Sequence, residues 1–338
     1  MKAIVLEKTC KAEDLKVTDV PMPKIEEDKV IVKVNGFGIN RSEVILRDYE
    51  ADEPYIKLPR IPGIECVGEI IDPSNSPFKK GDIVCCLMGG MGRSFDGSYA
   101  EYTLIPTKNT FKIKDDILEK LSLEELIAIP ETYFTAFGSL FECLDLKKED
   151  VLLIRGGTSA AGLSAIQLAK SIGCTIIATS RNEDGISRLE NLGVDYAIID
   201  NGEISSEILK IFPEGVEKIL DFIGASALND SMNALKFRGI ICVTGLLGGE
   251  DYIKEFDPIT GVPNGRYLTG FYSNYPNQKT IDEMFEFIID HNIKPAISKV
   301  FNSLENMSDA HKLMESNEAK GKIVFKLENE DEKNSILP

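Results

Sequence analysis

The sequence predicts an α/β protein with two domains, a barrel-type domain of short strands and a domain built on a doubly wound parallel sheet. Its 338 residues are enough for two domains with separate cores. Up to residue 122, short runs rich in Val and Ile are separated by prolines and glycines, a pattern typical of a compact barrel. From residue 123 onward, helix-type and strand-type segments alternate, which indicates a parallel sheet covered by helices.

The barrel-type domain is predicted from strand-like runs in the first part of the chain. These runs read MKAIVLE, KVIVKVNGFGIN, GIECVGEII, GDIVCCL and GSYAEYTLI. We assign residues 1–122 to this domain and expect the last segment, residues 275–338, to rejoin it. That segment contains a helical pattern in KTIDEMFEFIIDHN, a short helix in MSDAHKLMES and a final strand in GKIVFKLE.

The parallel-sheet domain is assigned to residues 123–274. It begins with a helical stretch around Pro130. The segments predicted as strands are 151–155, 175–180, 195–199, 218–222 and 239–244, with a further one at 266–272. Helical patterns lie between the strands, and this alternation is typical of a doubly wound sheet.

The strongest functional signal is the turn between the first two of these strands, within VLLIRGGTSAAGLSAIQLAKSIGCTIIATSR. The order of strand, small-residue turn, helix and strand is that of a βαβ unit of dinucleotide-binding type. The residues predicted to bind a pyrophosphate are Gly157, Thr158, Ser159, Ala160, Ala161 and Gly162, with Ser at the middle glycine of the pattern G-x-G-x-x-G. The alternative is a turn that serves only helix–strand packing.

The end of the second strand predicts which cofactor is bound. NAD sites usually place Asp or Glu there to bind a ribose hydroxyl, whereas this chain reads TSRN and has its next carboxylate at Glu183. A guanidinium offers bidentate hydrogen bonds to a phosphate, so Ser180 and Arg181 predict NADP(H). The alternative for Arg181 is a solvated position in a loop.

Charge and cysteine content exclude several classes of function. The net charge of −17 excludes nucleic-acid binding as a main function. No apolar run reaches membrane-spanning length, and the N-terminal sequence lacks the apolar core of a signal peptide, so a membrane protein is not expected. Seven scattered cysteines without a C-x-x-C pair are typical of a reducing compartment, and we predict a cytoplasmic protein.

Several motifs occur together in one order: PGIECVGEI, GDIV, DGSYAEY, PETYFTAFGSL, VLLIRGGTSAAGLSAIQLAK, LGVDYAIID and the terminal GKIVF. With them the chain resembles the medium-chain dehydrogenase/reductase superfamily, and most closely its zinc-independent quinone oxidoreductase branch, over nearly its whole length. The resemblance implies a GroES-like catalytic domain and a Rossmann cofactor domain. It also implies NADPH-dependent hydride transfer to a quinone or a similar electron-poor carbonyl acceptor. An alkenal or enone reductase and a non-catalytic NADPH-binding sensor are the alternatives.

The resemblance also bears on metal binding. Zinc-dependent relatives hold a catalytic zinc with Cys, His and Cys, and the matching positions here are Asn40, Ile64 and Glu131. Ile64 has no donor atom, and a catalytic zinc needs three protein ligands. The adjacent Cys85 and Cys86 do not fit the four-cysteine structural site of those relatives. We therefore predict that the protein binds no metal.

Candidate catalytic and cofactor residues follow from the same resemblance. Asn40 is predicted either to donate a hydrogen bond to a substrate oxygen or to hold the turn after GFGI. Thr135 matches a family threonine near the nicotinamide, or else bonds its own helical turn. Tyr49 is a candidate proton donor. The remaining predicted cofactor residues are Gly245, Leu246, Phe271, Tyr272, Ser273 and, as a phosphate ligand, Lys322.

Three further expectations concern surfaces. Glu43 and Arg47 follow Asn40 at helical spacing and are expected at the site or as an exposed ion pair. The glycine-rich loop 87–95 is expected to be an adaptable lid or a flexible surface hairpin. Family members commonly pair through the last cofactor-domain strand, here 266–272, so the resemblance implies a homodimer.

Overall fold

A computed structural model describes residues 1–250 and 252–327 of the chain. The chain divides into two compact units. The first unit contains Met1–Glu131 together with the segment that begins at Asn274, and the second unit is Thr132–Ser273.

The strands, in chain order, are β1 (Lys2–Ile4), β2 (Val17–Asp19), β3 (Lys29–Ile39), β4 (Glu65–Asp72), β5 (Ile83–Leu87), β6 (Tyr102–Pro106), β7 (Thr110–Lys112), β8 (Val151–Arg155), β9 (Thr175–Ser180), β10 (Tyr196–Ile199), β11 (Val216–Asp221), β12 (Leu235–Val243), β13 (Tyr267–Gly270), β14 (Ile297–Phe301) and β15 (Lys322–Lys326). The α-helices are α1 (Arg41–Asp48), α2 (Asp115–Leu118), α3 (Leu123–Ala128), α4 (Pro130–Phe137), α5 (Ala160–Ile172), α6 (Glu183–Asn191), α7 (Ser205–Ile211), α8 (Leu228–Asn233), α9 (Gln278–Asp290) and α10 (Met307–Ser316). A π-helix, Gly138–Cys143, directly follows α4.

The first unit is built on a mostly antiparallel sheet with the strand order β14-β15-β3-β4-β5-β7, and β6 also pairs with β3. The long strand β3 is central, because it pairs antiparallel with β4, β6 and β15. Apolar residues of these strands form one core, which includes Val32, Phe37, Cys66, Cys86 and Phe325. Through β15, the last strand of the described chain completes the sheet that the first strands begin.

The helix α3 lies in the first unit, although the sequence analysis begins the second domain at residue 123. Its Ile127 fills the space over Gly36 of β3, where an added Cβ would lie 2.1 Å from Ile127 Cδ1. Its Glu124 forms an ion pair with Lys326 of β15 at 2.8 Å. These contacts join α3 to the sheet of the first unit, so the division falls after Glu131.

The second unit is built on a parallel sheet with the strand order β10-β9-β8-β11-β12-β13. Counted within this unit, the order is 3-2-1-4-5-6, which is that of the doubly wound dinucleotide-binding fold. The predicted strands agree with those observed to within a few residues, and the largest difference is at β12, which begins at Leu235 and not at 239. The pairing of β11 with β12 shifts register near Val216, and Arg238 has a φ of +65°, so an irregular segment opens this strand.

The helix α5 follows from local sequence signals at both of its ends. The side chain of Ser159 caps the first turn by accepting a hydrogen bond from the Gly162 N–H at 3.0 Å. Gly173 ends the helix in the left-handed region, with a φ of +80°. Between these ends, Leu163, Ile166 and their neighbours bury one face, which fixes the helix against the sheet.

Candidate active site

The turn between β8 and α5 is held against the end of β9. The N–H of Gly156 donates to Thr179 Oγ1 at 3.1 Å, and the N–H of Gly157 donates to the Thr179 carbonyl at 3.1 Å. Gly156 has a φ of +87°, and a Cβ added to Gly162 would lie 2.5 Å from the Gly156 oxygen. Small residues are therefore required for this tight return of the chain.

The same turn leaves backbone donors at the start of α5. The Ser159 hydroxyl accepts from the Gly162 N–H and donates to the Gly156 carbonyl at 2.9 Å. The N–H groups of Ala160 and Ala161 have no acceptor among the residues that the structure describes. Free N–H groups at a helix N-terminus, together with the helix dipole, favour an anion such as a pyrophosphate.

The end of β9 offers hydroxyl groups and no free carboxylate. Thr179 and Ser180 are nearly buried, whereas Arg181 is exposed in the loop that leads to α6. The neighbouring carboxylate, Asp200 at the end of β10, accepts from Thr179 Oγ1 at 3.3 Å and from Arg155 Nε and Nη2 at 2.8 and 2.9 Å. Burial alone would raise the pKa of Asp200, but its bonds to Arg155 and the nearby charge hold that pKa below its ordinary value. This carboxylate is therefore engaged inside the protein.

The carboxyl ends of β8, β11 and β12 meet at one edge of the sheet. Asp221 ends β11, and its carboxylate accepts from the N–H groups of Ile223 and Gly224 at 2.7 and 2.9 Å, which fixes the following turn. Gly245 packs on this turn, because a Cβ added to it would lie 2.4 Å from the Phe222 oxygen. Leu246 lies beside Gly224. A crevice outside the carboxyl ends of the strands is where this fold binds its ligand.

The residues after β13 and the end of α4 form a second group in this unit. Phe271 donates its N–H to the Val243 carbonyl at 3.2 Å, and its ring packs on Gly138, where an added Cβ would lie 2.1 Å from the ring. Tyr272 is 67% exposed, and Ser273 is nearly buried. Thr135 is half-buried on α4, and its carbonyl accepts a hydrogen bond from the Ser139 hydroxyl at 2.7 Å.

The first unit contains a buried polar cluster around Glu65. Lys322 Nζ donates to Glu65 Oε1 at 2.6 Å and to Asn40 Oδ1 at 2.5 Å. Asn40 Nδ2 in turn donates to Glu65 Oε1 at 2.9 Å, and the Glu131 N–H donates to Glu65 Oε2 at 2.7 Å. Gly38 makes room for this cluster, because a Cβ there would lie 2.2 Å from Lys322 Cε. The Lys322 ammonium is thus bound within the protein, which differs from the predicted contact with a cofactor phosphate.

Glu43 extends this cluster and fixes Asn40. Its carboxylate accepts from the Asn40 N–H at 2.9 Å, which closes the first turn of α1, and from the Ile64 N–H at 3.1 Å. Burial raises the pKa of Glu43, and the nearby Lys322 only partly offsets this effect. Asn40 therefore both holds the turn after GFGI and presents its amide to the cluster.

The prediction of an exposed ion pair between Glu43 and Arg47 is wrong. Both side chains are buried, and the Arg47 guanidinium instead contacts Asp48 at 2.7 Å, Glu315 and His311. The periodic pattern could not show that α10 covers this face of α1. Tyr49, which directly follows α1, is 54% exposed.

The positions of the family's zinc ligands carry no suitable donor set. Ile64 is buried and apolar, and it directly precedes β4. Its N–H donates to the Glu43 carboxylate. Cys85 and Cys86 are consecutive on β5, so their side chains point to opposite faces of the sheet. Burial raises the pKa of Cys85 well above its ordinary value, which disfavours a metal-binding thiolate. Among residues 1–250 and 252–327, no three His, Cys, Asp or Glu side chains are grouped to hold a metal ion.

The loop 87–95 is attached to the first unit. Arg93 donates to both carboxylate oxygens of Glu50, at 2.8 and 2.6 Å, and Met91 is 1% exposed. A Cβ added to Gly92 would lie 2.9 Å from Gly63 N. These contacts differ from those of a freely flexible hairpin, and a role as a lid stays a prediction.

Comparisons with known proteins agree with this architecture. Residues 26–115 match the alcohol dehydrogenase GroES-like domain, and residues 160–290 match the zinc-binding dehydrogenase family. The quinone oxidoreductase of Lama guanicoe is 26% identical over 97% of this chain and 98% of its own. An NAD-dependent alcohol dehydrogenase of Sulfolobus acidocaldarius is 28% identical over 97% of this chain and 100% of its own. The solved structure of the quinone oxidoreductase from Coxiella burnetii has a TM-score of 0.80 at 25% identity, covering 97% of this chain and 99% of its own.

The fold and the turn at β8–α5 define a nicotinamide-dependent oxidoreductase with a GroES-like domain and a Rossmann domain. More specifically, the chain belongs to the medium-chain dehydrogenase/reductase superfamily. The sequence prediction of the superfamily and of the fold is thereby confirmed. In the part of the chain that the structure describes, no helix is long and apolar enough to cross a membrane.

Proposed function

We propose that the protein is an NADPH-dependent reductase that transfers hydride to a quinone or a similar electron-poor carbonyl acceptor without zinc. The observation that carries this proposal is the cluster of Asn40, Glu65 and Lys322 beside Ile64. It offers hydrogen-bond donors and a cation, but no set of three metal ligands. An alcohol would need a Lewis acid to lower its hydroxyl pKa, whereas a quinone does not.

The second unit supports the choice of cofactor. The bound nicotinamide would supply the hydride. The pyrophosphate of the cofactor would accept hydrogen bonds from the free N–H groups of Ala160 and Ala161 at the start of α5. At the end of β9, Ser180 and the exposed Arg181 would contact a 2′-phosphate, while Asp200 is already held by Arg155. This combination favours NADP(H) over NAD(H). Gly245, Leu246, Phe271, Tyr272 and Ser273 stay predicted contacts of the cofactor.

Asn40 is the proposed hydrogen-bond donor to the acceptor oxygen. Lys322 donates to Asn40 Oδ1, and this polarises the side-chain amide and strengthens its N–H groups as donors. One Nδ2 hydrogen is used by Glu65 at 2.9 Å, while the contact of Nδ2 with Glu43 is long at 3.5 Å. The second hydrogen is thus available to stabilise negative charge that develops on the acceptor oxygen. Thr135 and Tyr49 stay predicted contributors near the reacting groups.

The test is NADPH oxidation by metal-free protein with 1,4-benzoquinone, phenanthrenequinone, an alkenal and an enone, and NADP⁺ reduction with a primary alcohol. We expect turnover with the quinones and none with the alcohol. Preference for the alkenal would favour the alkenal reductase, and tight NADPH binding without any turnover would favour the sensor. One full equivalent of zinc retained by the protein, or alcohol oxidation that requires added zinc, would contradict the proposal.

The role of Asn40 is tested with Asn40→Leu, which removes the amide donor. We expect kcat for the quinone to fall about 100- to 1,000-fold, as for loss of an oxyanion donor, with little change in NADPH affinity. Asn233→Leu, at an exposed position on α8, is the matched control and should leave kcat unchanged. An unchanged kcat in a folded Asn40→Leu protein would refute this role.

We also propose that the protein is a cytoplasmic homodimer that pairs through β13. This strand is outermost in its sheet, and its Tyr267 and Leu268 are 54% and 39% exposed. An apolar exposed edge strand is suited to pairing with a second copy. Light scattering should give the mass of two chains, and Leu268→Lys should shift it to that of one chain. A monomeric mass for the unaltered protein would refute the dimer.

A further inference from the structure

Arg188 is a cation on α6 that the protein leaves without a full set of partners. It lies on the inward face of the helix, together with the buried Gly185 and Leu189. Its Nη1 atom is buried and has no hydrogen-bond acceptor in the part of the chain that the structure describes. Its Nη2 atom has a long contact of 3.5 Å with the Thr158 carbonyl oxygen. Burial lowers the pKa of Arg188, and no carboxylate offsets this effect.

Arg155, in the same unit, shows how a buried guanidinium is paired inside this protein. The buried Arg155 donates to Asp200 at 2.8 Å and to Asp230 at 2.9 Å, so its guanidinium is neutralised by two carboxylates. A buried guanidinium N–H group without an acceptor is unfavourable, because it loses water and gains no equivalent partner. An anionic ligand at Arg188 would remove this deficit.

The position of the guanidinium identifies the part of the ligand that it would meet. Thr158 belongs to the β8–α5 turn, next to the free N–H groups of α5. Gly185 packs directly on the end of β9, because a Cβ there would lie 1.8 Å from Ser180 Oγ. Side chains on a helix lean toward its N-terminus, so the long side chain of Arg188 extends toward the first turn of α6, which contains Gly185. The guanidinium thus lies between the pyrophosphate turn and the strand end that contacts the adenosine ribose.

We infer that Arg188 binds the 2′-phosphate of NADP(H) and selects this cofactor, together with the exposed Arg181. A planar guanidinium matches a phosphate through two parallel hydrogen bonds, and Nη1 is the donor that this contact would satisfy. Arg181 approaches from the loop after β9 and Arg188 from the second turn of α6, so the phosphate would be held from two sides. The inference rests on the proposed use of NADP(H).

The test is calorimetric binding of 2′,5′-ADP and of 5′-AMP, which differ only in the 2′-phosphate. Arg188→Met should weaken binding of 2′,5′-ADP about 10- to 100-fold and that of 5′-AMP less than about 3-fold. Arg188→Lys should recover part of the loss, because it keeps the charge but not the planar fork. Lys210→Met, on the exposed face of α7, removes the same charge elsewhere and should change neither affinity.

The outcomes separate this inference from the cofactor assignment. If the unaltered protein binds both probes equally, the assignment of NADP(H) fails and the inference fails with it. If the protein prefers 2′,5′-ADP and Arg188→Met keeps that preference, only the inference is overturned, and Arg181→Met then identifies the cation that binds the phosphate. An equal loss for both probes would place Arg188 on the 5′-phosphate and would also overturn it. Retention of the thermal unfolding temperature in Arg188→Met is expected, because the guanidinium makes no strong contact within the protein.

Discussion

Removal of the Lys322 ammonium is expected to destabilise the first unit strongly. The Lys322 and Glu65 side chains are 3% and 0% exposed, and their charged atoms lie 2.6 Å apart. Lys322→Met preserves most of the side-chain volume but leaves the buried carboxylate with two neutral donors, Asn40 Nδ2 and the Glu131 N–H. Loss of one partner from a buried ion pair costs about 3–5 kcal/mol. This is a large part of the roughly 5–15 kcal/mol by which a typical protein is stable.

The assay is urea unfolding at neutral pH, with one rescue variant and one control. The rescue variant is the double variant Glu65→Gln/Lys322→Met, which removes both buried charges. Its Gln oxygen can accept from the Glu131 N–H, and its amide NH₂ can donate to Asn40 Oδ1. We therefore expect it to recover at least about 2 kcal/mol of the free energy of unfolding that Lys322→Met loses. Lys326→Met is the control on the same strand, because its pair with Glu124 is 38% and 31% exposed and should contribute less than about 1 kcal/mol. The reasoning is refuted if Lys322→Met lowers the free energy of unfolding no more than Lys326→Met does. It is also refuted if the double variant is no more stable than Lys322→Met.

Two further predictions concern the pH dependence of stability. Burial lowers the pKa of His311 to about 3, and its ring contacts Tyr99 Oη and the Arg47 guanidinium. The unfolded chain therefore binds more protons below about pH 6.5, and stability should fall with decreasing pH by up to about 1.4 kcal/mol per unit. His311→Gln should lack this part of the slope in acid denaturation, and an unchanged slope would contradict the assignment. Arg155→Met should destabilise the second unit by about 3–5 kcal/mol at neutral pH, because it leaves the largely buried carboxylates of Asp200 and Asp230 without their cation. Arg155 holds the pKa of Asp200 below its ordinary value, so the unaltered protein loses this stabilisation as Asp200 becomes protonated. The difference in free energy of unfolding between Arg155→Met and the unaltered protein should therefore narrow as pH falls below about 4. A difference that stays constant with pH would show that the ion pair is not its source.

The parallel sheet could be predicted from sequence because each of its strands has a local signal. Val151–Arg155 and Thr175–Ser180 are short β-branched runs bounded by turn residues, and the structure has β8 and β9 at these positions. The helix between them has a capping Ser at one end and a Gly at the other, which are also local signals. The start of β12 was predicted less well, because Arg238 interrupts the pattern with a positive φ that residue type alone does not indicate.

The buried polar cluster could not be predicted, because its members come from distant parts of the chain. Lys322 in GKIVF was predicted as a phosphate ligand from its place in a motif, yet β15 pairs with β3 and brings its ammonium against Glu65. Glu43 and Arg47 have the spacing of a surface ion pair, but burial of that face of α1 depends on contacts that a periodic pattern does not contain. Arg188 could not be selected from the sequence either, because it is distinguished by a buried Nη1 atom without an acceptor, and this depends on how α6 packs.

The sequence by itself determined the superfamily, the two-domain α/β architecture, the βαβ unit with its small-residue turn, and the lack of a donor atom at Ile64. The turn and the residue at position 64 are local features, and the superfamily and architecture follow from the order of such local motifs along the chain. Only the tertiary structure decided which charged groups are paired inside the protein and which keep unused hydrogen-bonding capacity. Charge pairing depends on distances of about 3 Å between side chains that are far apart in the chain, and sheet register and helix packing set those distances.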